Sequence, residues 1–169
     1  MKIGLLSDTH GYLDPKIFKY FEGVDEIWHA GDIGTMDVLE ELKKFKPTIA
    51  VWGNIDGGAL RQECQEGEVF ERSGVRILIT HIANKPPKYN KKVLSYVKKY
   101  HPKLLVCGHS HILKVMPDKV NNLLFMNPGA AGKHGFHKIK TLLRFDLVNG
   151  EIKNLEVIEM GPRAKSLDQ

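Results

Sequence analysis

Up to about residue 110, short apolar runs of this chain alternate with amphipathic stretches; beyond it the apolar runs follow one another directly. IGLLS, EIWHA, TIAVW, VRILIT and KLLVCG have strand length, and the segments around 14–22, 36–45 and 89–100 show helical spacing. In the second of these segments Met36, Leu39, Leu42 and Phe45 recur every three residues, with Glu40, Glu41, Lys43 and Lys44 between them. That pattern predicts an amphipathic helix lying on a sheet. Strands alternating with helices argue for a largely parallel sheet. After 110 come ILKVM, NLLFM, TLLRFDLV and EIKNLEVIE, with Asn149-Gly150 as a strong hairpin signal between the last two. These predict a second, mostly antiparallel sheet. Pro86-Pro87 and NPGAAG at 127–132 read as loops within one domain over 1–169, whose tail from 161 is expected to be mobile.

The length suits a single sizeable core, and 42% hydrophobic with 27% charged residues is ordinary globular composition. The opening MKIGLLSDTH is interrupted too soon for a signal peptide's apolar region, and no window approaches the ~20 apolar residues of a membrane span. A cytoplasmic protein is expected. Cys64 and Cys107 lack CxxC spacing and read as free thiols. A net charge of +5 fits an anionic ligand, although many of the lysines lie in 84–103, where a solvated helix face explains most of them. Lys85 and Lys88 on a phosphate-facing loop are the alternative.

Chemistry-bearing residues close five of the strand-like runs. Asp8 and His10 follow the first, Asp32 the second, Asn54 the third, His81 a later one, and His109 with His111 the next. A parallel sheet gathers its binding loops at the carboxyl ends of its strands, so these residues can share a cleft. In DTH and GHSH the candidates are two apart, which on strand-like backbone aims both to one side. Each piece alone has a dull explanation: a capping turn at DTH, a loop turn at Asp32, a satisfied polar residue at His81. Oxygen and nitrogen donors from five places in this order point instead to a two-cation site.

The pattern DxH, GD, GNxD, H, GHxH resembles the calcineurin-like metallophosphoesterase superfamily over residues 8–111, and NPGA at 127–130 resembles the loop after the GHxH hairpin in its small members. The short chain is similar to the single-domain prokaryotic phosphodiesterase subgroup. The resemblance implies an α/β fold, a four-layer α/β/β/α sandwich of two mixed sheets flanked by helices. It also implies that Asp8, His10 and His111 hold one metal, that Asn54, His81 and His109 hold the other, and that Asp32 bridges them. Asp32, Asn54 and His109 would then carry catalysis, with a small phosphodiester as substrate. The mixed donor set suits Mn²⁺, Fe, Ni²⁺ or Zn²⁺ better than Mg²⁺ or Ca²⁺, and manganese is put first.

Three features depart from that pattern or stand outside it. Many family members carry His after GN, taken to protonate the leaving group; here the position is Ile55. A replacement could come from His134 or His137, whose plainer reading is a pair of exposed loop histidines. Ile82 stands where the family usually has Gly and could reshape the pocket around His81. Asp56 orients groups around the site or merely starts a turn, His29 is a core or supporting residue, and His101 near a helix end has no chemical role. A non-enzymatic scaffold resembling the retromer phosphoesterase-like subunit is the main alternative, which the retained Asp32 argues against. A nuclease lacks support, since no aromatic-interleaved basic stripe accompanies the site. Homo-oligomers are common in such relatives, and exposed apolar strands in the C-terminal half could support one.

Overall fold

Every apolar run of the sequence forms a strand in the computed structural model, which describes residues 1–164. The elements run β1 (Lys2–Leu6), α1 (Lys16–Tyr20), β2 (Glu26–His29), α2 (Met36–Phe45), β3 (Thr48–Ala50), α3 (Gly58–Glu63), β4 (Gly67–Arg72) and β5 (Val75–Thr80). Then follow β6 (Asn84–Lys85), β7 (Lys88–Tyr89), α4 (Lys91–Tyr100), β8 (Leu104–Val106), β9 (Leu113–Asp118), β10 (Leu123–Pro128), β11 (Ile139–Val148) and β12 (Glu151–Pro162).

Two five-stranded sheets result, ordered β12-β11-β1-β2-β3 and β4-β5-β8-β10-β9. The parallel trio β1, β2, β3 has antiparallel β11 on its flank, and the parallel trio β5, β8, β10 has antiparallel β4 and β9 at its edges. This is the α/β architecture of two mixed sheets with helices outside. The expected division into a parallel N-terminal sheet and an antiparallel C-terminal one is wrong. The hairpin β11–β12 returns to pair with β1, while β4, β5 and β8 join β9 and β10. Alternation along a strand says that one face is buried, not which sheet buries it.

Three cores separate the four layers. Between the sheets lie Ile3, Leu5 and Trp28 from one side and Ile77, Ile79, Leu104 and Val106 from the other. Trp28 meets Phe70 at 5.2 Å and Phe145 at 5.6 Å edge-on, and its Nε1 donates to Glu26 Oε1 at 2.6 Å. The opposite faces of the same strands carry Leu6, Ile27, Leu78 and Leu105. Helix α2 lays Val38, Leu39 and Leu42 on the first outer face with Ile17 of α1 and Leu60 of α3; α4 lays Val93 and Val97 on the second.

The first helix is shorter than expected. Asp14 Oδ1 accepts from the Lys16 N–H beside Pro15, and turns at 21–24 carry the chain straight into β2. Helix α3 and strand β4 were not foreseen. The tail expected to be mobile from 161 begins inside β12, and the Arg163 N–H donates to Lys138 O at 2.9 Å; residues 165–169 lie outside the described residues. Asn149 and Gly150 have φ of 50° and 78°, the conformation that a two-residue hairpin turn demands. Among the described residues no helix is long and apolar enough to cross a membrane.

Candidate metal centre

The carboxyl ends of β1, β2, β3, β5 and β8 open on one rim, and Asp8, His10, Asp32, Asn54, His81, His109 and His111 all follow them. Strand-like backbone does not aim these side chains, contrary to expectation. Asp8, His10, Asp32, His109 and His111 have φ of 56°, 48°, 53°, 68° and 57°, all left-handed. Such a conformation costs an L-residue about 1 kcal/mol or more, and it persists only where surrounding bonds hold it. Here the Asp8 N–H donates to Gly31 O and the His10 N–H to Asp32 O, both at 3.0 Å. The turns bring three loops together and throw five polar side chains into the cleft between them.

Two donor groups form there, Asp8 with His10 and His111, and Asp32 with His81 and His109, each with one ligand atom per residue within 4.8 Å of the others. His10 Nε2 and His111 Nε2 lie 3.3 Å apart, and His111 Nε2 is 3.2 Å from Asp8 Oδ1. Asn54 completes the second group: its Oδ1 is 3.1 Å from His81 Nε2 and 2.8 Å from His109 Nδ1. Asp32 faces both, with Oδ2 3.6 Å from His10 Nε2 and Oδ1 3.2 Å from His81 Nε2. The sequence candidates thus converge on one another without exception.

Polar groups behind the rim hold these donors in place. His81 Nδ1 donates to Ala30 O at 2.7 Å, which leaves Nε2 as a lone pair facing the cleft. The Ile55 N–H donates to Asp32 Oδ1 at 3.0 Å, and the His109 N–H to Asp8 Oδ2 at 3.2 Å. At Gly53 a Cβ would stand 2.1 Å from Asp32 Oδ1, and at Gly108 one would stand 2.0 Å from Ser7 Oγ. The glycines of GNID and GHSH are therefore there for close approach. Asp56, ambiguous in the sequence, is 2% exposed and accepts from the N–H groups of Ile33, Gly34 and Gly53 at 3.0, 2.8 and 2.8 Å. It clasps the Asp32 loop to the Asn54 loop. His29, fully buried, accepts at Nδ1 from the Gly31 N–H, so its Nε2–H faces Thr9 Oγ1 at 2.9 Å.

Electrostatics fit a cation. Asp8 Oδ1 is buried and accepts no hydrogen bond, an orphan that costs free energy unless something positive meets it. Burial opposes ionisation of Asp32, but the hydrogen bond and charge of His81, with the Ile55 N–H, outweigh it and lower its pKa. Burial likewise disfavours a charged His81, yet Asp32 and Asp8 prevail and raise its pKa. Burial holds His10 below its usual value despite Asp32 and Asp8. Two buried carboxylates that favour a proton on His81 make a site where a divalent ion can take that proton's place.

The remaining histidines divide. His134 is exposed with its ring 4.9 Å from that of His10, while His137 is half-buried, bonded through Nε2 to Gly132 O at 2.9 Å and packed on His111. Both stand at the rim. His101 caps α4 with φ of 48°. Ile55 is 48% exposed. Cys64 and Cys107 are free and buried, and burial pushes their thiols up to about 11 and about 12.

A sandwich of this topology with this set of donors belongs among metallophosphoesterases, and the model of the calcineurin-like phosphoesterase superfamily domain matches residues 1–150. The chain belongs to that superfamily. Among its relatives, a probable metallophosphoesterase of Methanocaldococcus jannaschii is 31% identical over 136 residues, covering 77% of this chain and 68% of that one. The structure of an archaeal phosphodiesterase superposes with a TM-score of 0.75 at 25% identity, over 95% of this chain and 100% of that one. Vps29 of Entamoeba histolytica complexed with Zn²⁺ superposes at 0.68 with 18% identity, over 94% and 99%, a likeness of fold alone.

Proposed function

We propose that the chain is a metal-dependent phosphodiesterase with a dinuclear centre bridged by Asp32, acting on a small phosphodiester. The observation that carries this reading is the two-faced Asp32 carboxylate, one oxygen toward His10 and the other toward His81. Asp8, His10 and His111 would hold one cation; Asn54, His81 and His109 would hold the other. Bound there, two divalent cations would supply Lewis-acid polarisation of a phosphoryl oxygen and lower the pKa of water enough to make hydroxide available as the nucleophile at neutral pH. A donor set that mixes imidazole with oxygen suits Mn, Ni, Fe or Zn better than Mg or Ca, and manganese is put first among them.

The chain's own groups orient and hold. Ala30 O fixes the ring of His81, the Ile55 N–H steadies Asp32, and the Asn54 amide oxygen reaches both His81 and His109. Position 55 presents only an alkyl side chain, so no imidazole there protonates a departing alkoxide. General acid catalysis is worth about 10²–10⁴ in rate, and poor leaving groups feel its loss most. Two buried free thiols suit a cytoplasmic setting. A non-enzymatic binding protein on the same fold is the alternative, and the full donor set weighs against it.

The test is hydrolysis of bis-p-nitrophenyl phosphate against p-nitrophenyl phosphate by metal-stripped protein with added Mn²⁺. Metal-dependent turnover favouring the diester is expected, falling at least about 10²-fold in Asp32→Asn and His109→Ala. No turnover by folded protein with Mn²⁺, Ni²⁺, Zn²⁺ or Fe²⁺ would overturn the enzyme reading.

A further inference from the structure

Directly beside His109 opens a cavity of about 350 Å³, at the small end of the ~300–1,000 Å³ of ligand sites and large enough for one ring system. Ile82, Ala83, Ile112 and Phe125 form its apolar walls, and Gly108 with His109 forms the side shared with the donor groups. Ile82, noted in the sequence as larger than the family's usual Gly, is one of these walls.

The polar groups on the Asn127 and Asn90 sides of this space are already engaged. Asn127 Nδ2 donates to Gly108 O at 2.8 Å and to Ser110 Oγ at 3.1 Å, and Asn127 Oδ1 accepts from the Gly129 N–H at 2.9 Å. Ile82 O accepts from Asn90 Nδ2 at 2.7 Å, and Ala83 O from the Asn90 N–H at 3.2 Å. The walls therefore select by shape and apolar contact, while Asn84, Lys85 and Lys114, which make no side-chain hydrogen bond among the described residues, stand free to meet a polar edge. Lys85 and Lys114 also line the space, and among the described residues neither has a carboxylate partner, so a cationic occupant is disfavoured.

We propose that this cavity receives one arm of the phosphodiester, an uncharged or anionic ring of aryl or nucleobase size, and discriminates ring from alkyl. The assignment rests on the phosphodiesterase reading for the word diester, but the cavity can be tested without turnover. Burial of an apolar ring favours binding in proportion to the area removed from water, and tenfold in affinity is about 1.4 kcal/mol.

The experiment is calorimetric titration of Mn²⁺-loaded protein with phenylphosphonate and methylphosphonate, in the wild type, Ile112→Ser and Ile82→Ser. Both side chains are exposed enough to be replaced without emptying a core, at 65% and 38%. Phenylphosphonate should bind the wild type at least about tenfold tighter. That ratio should fall to about threefold or less in each variant, with each variant's own methylphosphonate affinity cancelling any disturbance of the metal centre. A wild-type ratio near one, or a ratio unchanged in both variants, overturns the assignment. Bis-p-nitrophenyl phosphate turnover is followed in parallel. Ring preference without turnover under any of Mn²⁺, Ni²⁺, Zn²⁺ and Fe²⁺ sinks the phosphodiesterase reading and keeps the ring site; turnover without ring preference does the reverse.

Discussion

Asp56 aims no atom at the donor groups, yet its carboxylate gathers N–H groups from Ile33, Gly34 and Gly53 and so sets where Asp32 and Asn54 stand. Replacing it with Ala leaves two buried donors and a half-buried one without partners, each buried one costing about 1–3 kcal/mol. Asp56→Ala should lose about 3 kcal/mol or more in urea unfolding and bind Mn²⁺ about 10–100-fold more weakly; unchanged metal affinity would show that the clasp does not position the centre. His29 makes a prediction in pH. Its burial lowers its pKa from 6.5 to about 4, so the unfolded chain takes up a proton here first as pH falls. The stability of the neutral ring is therefore complete above 6.5 and drains away between 6.5 and about 4, by roughly 3 kcal/mol over the window. The melting temperature of His29→Gln should fall less steeply with acidification than that of the wild type. Parallel curves would contradict this account.

At the scale of elements, α4 is tied to the cleft by the residue that caps its start. Asn90 Oδ1 accepts from the Val93 N–H at 3.0 Å, capping the helix, while its amide donates to Ile82 O next to His81. Asn90→Ala should cost about 1–2 kcal/mol, and Asn90→Asp, which keeps the cap but loses the donor to Ile82, should recover about half; equal losses in urea melts would deny the cap its share. Amphipathic spacing made α2 and α4 legible because each lies on one sheet face along its whole length. Helix α3 has one buried residue, Leu60, and six residues are too few to show a period. Strand β4 is half-buried on most positions and so lacks alternation. A signal for it existed nonetheless: Ser73 and Gly74, both at positive φ, make the two-residue turn that joins β4 to β5.

For the molecule as a whole, the candidate site was more legible than the sheets. The donors announced themselves as residue types at short spacing after apolar runs, and the sandwich brings the two sheets' rims together so that Asp8, Asp32 and Asn54 from one meet His81, His109 and His111 from the other. Strand partnership is non-local, and nothing in TLLRFDLV says that Phe145 will pair with Ile3 rather than lie in the sheet of β9 and β10. The left-handed turns were equally hidden, since Asp and His at those positions carry none of the glycine signal that marks such conformations. What the assembled rim should do is bind two cations that share Asp32. The most direct test is Mn²⁺ binding to metal-stripped protein by equilibrium dialysis, with electron paramagnetic resonance on the loaded sample. Two ions per chain with an exchange-coupled spectrum, reduced to one ion or to uncoupled ions in Asp32→Asn, is the predicted result. A single ion per wild-type chain, or two uncoupled ions indifferent to Asp32→Asn, would contradict it.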